Sequence, residues 1–340
     1  MASRMCRPAL GWLACICLLI AGSACAGGVD SASEMPLPGP VCDKPAHSRM
    51  DAHTPEVQVA DWSQPLPVAS LNTACPEDAI AISADGNSLY FLFTVDLLDN
   101  LSPEQVIAAP NGTYRAARSE GPGDFSNPVF VNLGKGVDGS LDGELSFSPD
   151  GTQVYFHSLR PTNTGYRQDP AVEDFLDIYV AYLVDGVPGA GRNLGYPVNT
   201  VYPDGEQAIY PDGVTLYFSS PREGGLGGND IWSSRWDGAS WSEPVNLASP
   251  VNSVGNDLQP AFTADGNTMY FTSNRDAALG MAIYRAVWTG EGWGEAELVI
   301  TGIVGEATLT GDGMWLYFVH VLTDEGGVFD ADIWYARHLP

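Results

Sequence analysis

The chain has 340 residues, with 15 Lys and Arg against 42 Asp and Glu, which gives a formal net charge of −27. This acidic balance excludes a phosphate-tracking nucleic-acid binder and a polybasic membrane-surface protein, because both depend on clustered Lys and Arg. At 44% hydrophobic residues the chain has enough apolar side chains for a large core, and 38 Gly with 25 Pro favour a turn-rich β architecture.

Residues 1–24 have the order of a secretory signal peptide. Two arginines precede an apolar stretch from Pro8 to Ala21, and small residues follow it. The stretch is shorter than the roughly 20 residues of a transmembrane helix, so a membrane anchor helix is the less favoured alternative. Two cleavage sites stay open: an A-x-A site after Ala26, and a lipobox-like sequence that would make Cys25 a lipidated first residue.

Cysteine counting favours lipidation. Beyond the signal, Cys42 and Cys75 are expected to form a disulfide in an oxidising compartment, which leaves Cys25 as the odd cysteine. Residues 25–60 are Pro-rich without hydrophobic periodicity and are interpreted as a tether. We therefore expect a protein of the bacterial periplasm or outer membrane, or a secreted one, with membrane contact only through its signal or lipid.

Five copies of one unit occupy residues 61–340. A four-residue turn signal with Asp-Gly at its end recurs at 83–86, 148–151, 210–213, 263–266 and 310–313. Each turn is followed at a fixed distance by Tyr-Phe, and a bulky apolar residue stands three positions before each turn Asp. An apolar strand, an Asp-Gly turn and an aromatic strand predict a β-hairpin.

Third and fourth strands complete each repeat, as in "DIWSSRW" at 230–236 and "WSEPVNL" at 241–247. A repeated four-stranded antiparallel unit is typical of a β-propeller blade. The last repeat ends after its third strand, and the missing fourth strand is present at the other end of the repeat region, as "WSQPLPV" at 62–68. The sequence therefore predicts an all-β, five-bladed propeller closed by an N-terminal strand, with a six-bladed ring as the alternative.

The segments "GELSFSPDGTQVYF" and "NDLQPAFTADGNTMYFTSNR" resemble the WD40-like PD40 repeats of TolB-like β-propellers. The resemblance covers about residues 62–338 and implies the propeller fold. It does not specify one function, because the fold hosts ligand-binding, scaffolding and hydrolytic proteins.

Two rows of polar residues appear when the repeats are aligned on the turn Asp. The first row, eight positions earlier, is acidic in four repeats: Glu77, Asp142, Asp204 and Asp257. The second row, six positions earlier, is Ala79, Glu144, Glu206, Gln259 and Glu306. Offsets of two place both rows on one side of the innermost strand, so we expect a double carboxylate ring at one mouth of the channel. Ten positions after the turn Asp stand Arg160, Arg222 and Arg275, expected at the same mouth.

So many neighbouring carboxylates require counter-charges, raised pKa values or a bound cation. Calcium prefers oxygen ligands, and Glu144, Glu206 and Glu306 are the candidate calcium ligands. The alternative is that both rows serve the repeat itself, pairing with its arginines and backbone N–H groups.

Three functions remain open. The favoured one is a non-catalytic envelope propeller that binds an envelope protein, a peptide or a glycan through the acidic channel mouth. The second is a glycoside hydrolase, for which two carboxyl groups about 5–10 Å apart would be needed. Equivalence within the repeat counts against it, because catalytic acids take unequal roles. The third is a purely structural surface lipoprotein.

Overall fold

The computed structural model describes residues 51–94, 112–133, 141–160, 162–164, 176–184, 186–325 and 327–340. Every regular element of this part is a β-strand. Two short strands come first, β1 (Glu56–Val57) and β2 (Leu66–Pro67). The remaining strands form five antiparallel sheets arranged as the blades of a propeller, which confirms the five-bladed prediction.

The strands follow the repeats in chain order. Blade 1 contains β3 (Glu77–Ile82), β4 (Ser88–Phe93), β5 (Gly112–Arg118) and β6 (Phe125–Phe130). Blade 2 contains β7 (Leu141–Phe147), β8 (Gln153–Leu159), β9 (Leu176–Val184), β10 (Val187–Pro188) and β11 (Arg192–Asn193). Blade 3 contains β12 (Gly205–Ile209), β13 (Thr215–Ser220), β14 (Asp230–Arg235) and β15 (Val245–Asn246). Blade 4 contains β16 (Asp257–Phe262), β17 (Thr268–Ser273), β18 (Ala282–Val287) and β19 (Glu297–Thr301). Blade 5 contains β20 (Val304–Leu309), β21 (Trp315–Asp324) and β22 (Gly327–Arg337).

The N-terminal strand closes the ring as predicted. β2 pairs antiparallel with β22, with Leu66 opposite Tyr335 and Pro67 opposite Trp334. Trp62 forms a further bridge to His338, and the Val68 amide donates to the carbonyl of Ile333. β2 and the strands of the last blade therefore form one sheet, which removes an open sheet edge.

The folded region begins earlier than the predicted boundary at residue 60. β1 adds a fifth strand to blade 4, with Glu56 opposite Thr301 and Val57 opposite Ile300. The amide of Ala52 donates to the carbonyl of Thr323 in blade 5. Residues 51–60 therefore belong to the propeller and not to a tether.

The remaining N-terminal predictions lie outside the described residues. These are the signal at 1–24, lipidation at Cys25, the rest of the tether and the Cys42 end of the disulfide, whose other end, Cys75, is buried in blade 1. None of the described segments forms a helix long and apolar enough to cross a membrane.

The repeated Tyr-Phe pairs explain how the blades pack. The Phe of each pair is fully buried, and the five residues are Phe91, Phe156, Phe218, Phe271 and Phe318. They lie in hydrophobic clusters with third-strand residues such as Ile178, Ile231 and Ile333. Burial of a phenylalanine side chain in every blade provides apolar stabilisation of the propeller.

The inner strands β3, β7, β12, β16 and β20 contact one another in ring order around the channel. Each carries a β-bulge where its register against the second strand shifts. The residue at each bulge has a left-handed backbone, with φ between 48° and 57°, and these five residues are the second row: Ala79, Glu144, Glu206, Gln259 and Glu306. Such a conformation is uncommon for residues other than glycine.

Turns and connections divide the propeller into two faces. The face that carries the Asp-Gly turns between first and second strands is called the turn face. We call the loop face the opposite one, where second strands connect to third strands and each blade connects to the next. The first row stands at the loop-face ends of β3, β7, β12 and β16, as expected from the antiparallel order of the strands.

We expect Trp62→Ala to weaken ring closure. Trp62 is buried between blades 4 and 5 and its indole N–H donates to the Tyr270 hydroxyl at 3.2 Å. Loss of a buried indole should lower the free energy of unfolding by about 3–5 kcal/mol, measured by urea denaturation. Trp288→Ala, at a half-exposed tryptophan of blade 4, is the matched control and should cost much less. Equal losses in both variants would contradict this role of Trp62.

Candidate functional site

The first-row acids are bound inside their own blades. Asp204 accepts a hydrogen bond from Arg222 Nη2, and it also accepts bonds from the amide and hydroxyl of Thr200 at 2.6 and 2.7 Å. Asp257 is bound in the same way by Arg275 and Ser253, and Asp142 by Arg160. All these aspartates are buried. Each is therefore the centre of a repeated polar clamp.

The arginines of the clamp donate most of their N–H groups to atoms within the protein. Arg222 donates to the carbonyls of Pro197 and Val198, and its guanidinium lies over the rings of Phe218 and Trp232 at 4.8 and 5.6 Å. Arg275 repeats these contacts with Pro250, Val251, Phe271 and Tyr284. Arg160 lies over Phe156 and Tyr179 in blade 2. These three predicted binding residues fasten the blade to the connection that leads into it.

A motif that the sequence predictions missed completes the clamp. It is "SLNT" at 70–73, "PVNT" at 197–200 and "PVNS" at 250–253, each in the connection before an inner strand. Its asparagine side chain bonds both the amide and the carbonyl of an isoleucine in the third strand of the preceding blade, as Asn199 does to Ile178 at 2.9 and 2.8 Å. The repeated Asn-Thr/Ser was a visible signal, since it recurs four or five positions before Glu77, Asp204 and Asp257.

Blades 1 and 5 depart from the clamp. In blade 1 the first-row residue Glu77 accepts bonds from the amide and hydroxyl of Thr73. In blade 5 the equivalent position is Val304, and His320 stands where blades 2–4 have a serine. The carboxylate is supplied instead by Asp51, whose Oδ2 lies 2.8 Å from His320 Nε2. The N-terminal segment thus provides the acid that the fifth repeat lacks.

The second row forms a separate cluster inside the channel. Gln259 Nε2 lies 3.5 Å from Glu206 Oε1 and 3.3 Å from Glu306 Oε1, so three consecutive blades are linked through side chains. Asp78, next to Ala79 in blade 1, faces Glu306. Glu144 Oε2 lies 3.5 Å from His157 Nδ1. All these residues are buried, with at most 8% of the residue surface exposed.

The predicted double ring is therefore wrong in one respect. The second-row residue is itself the left-handed residue of the bulge, so an offset of two no longer keeps its side chain on the face of the first row. The first row bonds within its own blade, and the second row bonds across blades. The channel carboxyls also lie below the surface, where a protein partner does not reach them.

Burial controls the protonation of the channel cluster. Desolvation, with the charges of Glu206 and Asp78, raises the pKa of Glu144 well above its usual range. Desolvation, with Asp78, Glu144 and Glu206, does the same to the pKa of Glu306. Neighbouring carboxylates repel in a medium of low dielectric, so these carboxyls hold their protons to a higher pH than exposed carboxyls do.

His157 serves the cluster as a neutral acceptor. Its Nδ1 accepts a hydrogen bond from the amide of Glu206 at 3.3 Å, across the interface of blades 2 and 3. The equivalent residues of the next two blades, Ser219 and Thr272, accept from the amides of Gln259 and Glu306. Burial lowers the pKa of His157 to about 3, which keeps the ring neutral and the acceptor available.

The calcium prediction at Glu144, Glu206 and Glu306 stays a prediction. These three residues do meet in one cluster, together with Asp78 and Gln259. Among the residues that the structure describes, no group of three His, Cys, Asp or Glu is arranged to hold a metal ion.

The fold and these sites define the class of the protein: a five-bladed β-propeller with a clamped loop face and a carboxyl cluster in its channel. No protein-family model matches the chain, and no curated protein matches it. An α-L-arabinofuranosidase from Lactobacillus brevis is similar in structure, with a TM-score of 0.50 and 12% identity over 78% of this chain and 92% of that one. Its likeness extends to the fold alone.

Two further structures are similar at lower scores. TolB from Acinetobacter baumannii has a TM-score of 0.43 and 14% identity over 79% of this chain. The present chain spans 56% of the length of that TolB. A thermostable family-43 glycoside hydrolase has a TM-score of 0.48 and 13% identity, covering 76% of this chain and 88% of that one.

Removal of a clamp arginine should destabilise the propeller. Arg222→Ala leaves Asp204 buried without its counter-charge and two carbonyls without a donor, so we expect a loss of about 3–5 kcal/mol in the free energy of unfolding. Arg235→Ala breaks a solvent-exposed pair with Asp212 and is the matched control, expected to cost about 0–1 kcal/mol. Urea denaturation measures both. Similar small losses would show that the clamp is not structural.

Acidification should act on stability through His157. The unfolded imidazole takes up a proton near pH 6.5, whereas the folded one does so only near pH 3, so the histidine destabilises the fold increasingly as pH falls between these values. From pH 7 to pH 4 we expect wild type to lose about 3 kcal/mol more than His157→Gln. His338→Gln, at an exposed histidine, should follow wild type. Parallel pH profiles of wild type and His157→Gln would contradict the assignment.

Proposed function

We propose that the chain is a non-catalytic binding propeller of the cell envelope, which engages a protein partner with the loop face of blades 3 and 4. The single observation that carries the proposal is a set of exposed apolar side chains on adjoining loops of that face. They are Tyr196, Val201, Leu226 and Val254, and Val254 is 90% exposed.

These four residues lie on loops that contact one another. Gly228 donates its amide to the carbonyl of Gly255, which joins the loop of Leu226 to that of Val254. Arg222 bonds the carbonyl of Val198, between Tyr196 and Val201. Val201 and Val254 occupy the same position of the repeat, one residue after the Thr or Ser of the clamp. Adjoining exposed apolar side chains on a rigid surface favour a protein–protein contact.

The clamp supports a binding function by making this face rigid. Each connection of blades 3 and 4 is held at the asparagine, at the hydroxyl residue and at two carbonyls. A partner that binds such a surface does not have to order it first, which lowers the entropic cost of association. The cell-envelope location rests on the signal-like residues 1–24 and is part of the proposal.

A glycoside hydrolase is the less favoured function. The candidate acids occupy one position of the repeat and are buried, and they are Glu144, Glu206 and Glu306. Their charges act on one another and help to raise the pKa values of Glu144 and Glu306. A hydrolase requires one acid and one base that take different roles. We therefore expect no turnover of aryl glycosides. Turnover that is abolished by Glu206→Gln would favour the hydrolase.

A photo-crosslinker at position 254 tests the binding face. A benzophenone amino acid at Val254, in the full chain with its own leader, is expected to crosslink a discrete partner in whole bacterial cells. The same residue at Val287, an exposed valine at the turn-face end of β18, is the matched control and should give none.

A second substitution shows whether the partner is bound through the surface. Val201→Lys should reduce the adduct at position 254 at least fivefold while the unfolding temperature is unchanged. Adducts of equal yield at positions 254 and 287, or an adduct that Val201→Lys leaves intact, would contradict the proposed face.

A further inference from the structure

Blades 3 and 4 carry the same group of side chains on the loop face. In each blade a valine follows the hydroxyl residue of the clamp, an acid follows the clamp arginine, and a leucine stands three positions after the acid. No other repeat has these residue types at the three positions. We call each group an aliphatic–acid set. The sets are Val201, Glu223 and Leu226 in blade 3, and Val254, Asp276 and Leu279 in blade 4.

The clamp fixes the valine and the acid of each set at one anchor. Arg222 and Thr200 both donate hydrogen bonds to the same carboxylate, Asp204. Glu223 directly follows this arginine, and Val201 directly follows this threonine. Blade 4 repeats both contacts with its own arginine, serine and aspartate. Each set therefore combines an aliphatic side chain and a carboxylate whose backbones are held in place.

The two sets adjoin, because the connection into blade 4 lies between the long loops of blades 3 and 4. On one side, the amide of Gly228 donates to the carbonyl of Gly255 at 2.8 Å. A Cβ atom at Gly227 would overlap with the same carbonyl oxygen, so the two backbones are in direct contact. On the other side, the amide of Asn256 donates to Asn274 Oδ1 at 2.7 Å. The sets therefore form one continuous surface.

The exposed charge of this surface is negative. Glu223 and Asp276 are both exposed. The loop-face segments of blades 3 and 4 contain two basic residues, Arg222 and Arg275, and both are bound to the aspartates of their clamps. These segments are 195–204, 221–229, 248–256 and 274–281. The surface therefore presents aliphatic side chains next to carboxylates, and its positive groups are occupied within the protein.

We propose that the two sets bind a basic segment of the partner protein, in which Lys or Arg residues are interspersed with aliphatic ones; this rests on the proposed function. The aliphatic residues of the segment pack on the valines and leucines, and its cations pair with Glu223 and Asp276. Because the sets adjoin, one segment engages both, and the second contact benefits from a high effective concentration. An acidic segment is repelled by the same carboxylates.

A defined peptide probe tests this chemistry on the purified full chain. The probe is a fluorescent peptide of repeated Lys-Leu-Gly units, about ten residues long, and its matched control has Glu in place of every Lys. With a benzophenone amino acid at Val254, we expect the Lys peptide to form an adduct and the Glu peptide to form none. The same crosslinker at Val287, on the turn face, should give no adduct with either peptide.

A double substitution removes the two charges and keeps the loops intact. Glu223→Gln with Asp276→Asn retains an Oδ1 acceptor for the amide of Ala278, so the unfolding temperature should be unchanged. We expect the adduct of the Lys peptide at position 254 to fall about fivefold, as the loss of two exposed ion pairs allows. Glu291→Gln with Glu295→Gln, at two exposed acids of blade 4 away from the loop face, is the matched control and should leave the adduct unchanged.

The outcomes separate the chemistry of the surface from the existence of the partner. Equal adducts with the Lys and Glu peptides, or an adduct that Glu223→Gln with Asp276→Asn leaves intact, would overturn the basic segment. An adduct of the Lys peptide with the purified chain, together with no adduct in whole cells, would reject the envelope partner and support the chemistry of the sets. An adduct in cells that the double substitution leaves intact would support the partner and reject its basic character.

Discussion

The left-handed residue at the bulge of each inner strand is the constraint on which the ring depends. Its own amide points out of the sheet ladder, and a buried amide without an acceptor costs about 1–3 kcal/mol. The acceptor comes from the neighbouring blade, as Ser219 shows for Gln259. A local irregularity, repeated in every blade, thereby becomes the polar connection between blades.

The same logic explains how an acidic chain tolerates a buried set of carboxyl groups. First-row acids are bound by an arginine and a hydroxyl residue, as at Asp204. Second-row acids lie buried beside one another, and burial with the neighbouring acids raises the pKa of Glu306. Two positions in one strand thus solve the cost of burial in different ways. What remains available for a partner is the surface that the clamps hold rigid.

Most of the architecture was predictable because it repeats. The Asp-Gly turns, the Tyr-Phe pairs and the closing strand at 62–68 predicted five blades and the way in which the ring is closed. The sequence also allowed the alternative that the first-row acids pair with the arginines of the repeat. The structure shows such pairs at Asp142, Asp204 and Asp257. The split of the two rows was not predictable, because a bulge at Glu144 or Glu206 needs no glycine and left no mark in the strand pattern. The repeat has Val304 at the first-row position of blade 5, and Asp51 supplies the carboxylate instead. This was equally hidden, since the two residues are far apart in the chain.

The sequence by itself determined the number of blades, their register and the closure of the ring, because periodic burial and turn chemistry are local properties. It also determined which residues are acidic, and their spacing along each strand. Only the tertiary structure decided which of those acids keep a charge, since protonation depends on burial and on neighbours from other blades. The −27 of the whole chain is therefore a formal count. Its distribution is set where Asp78, Glu144, Glu206 and Glu306 meet in the channel, because burial and mutual repulsion raise the pKa values of Glu144 and Glu306.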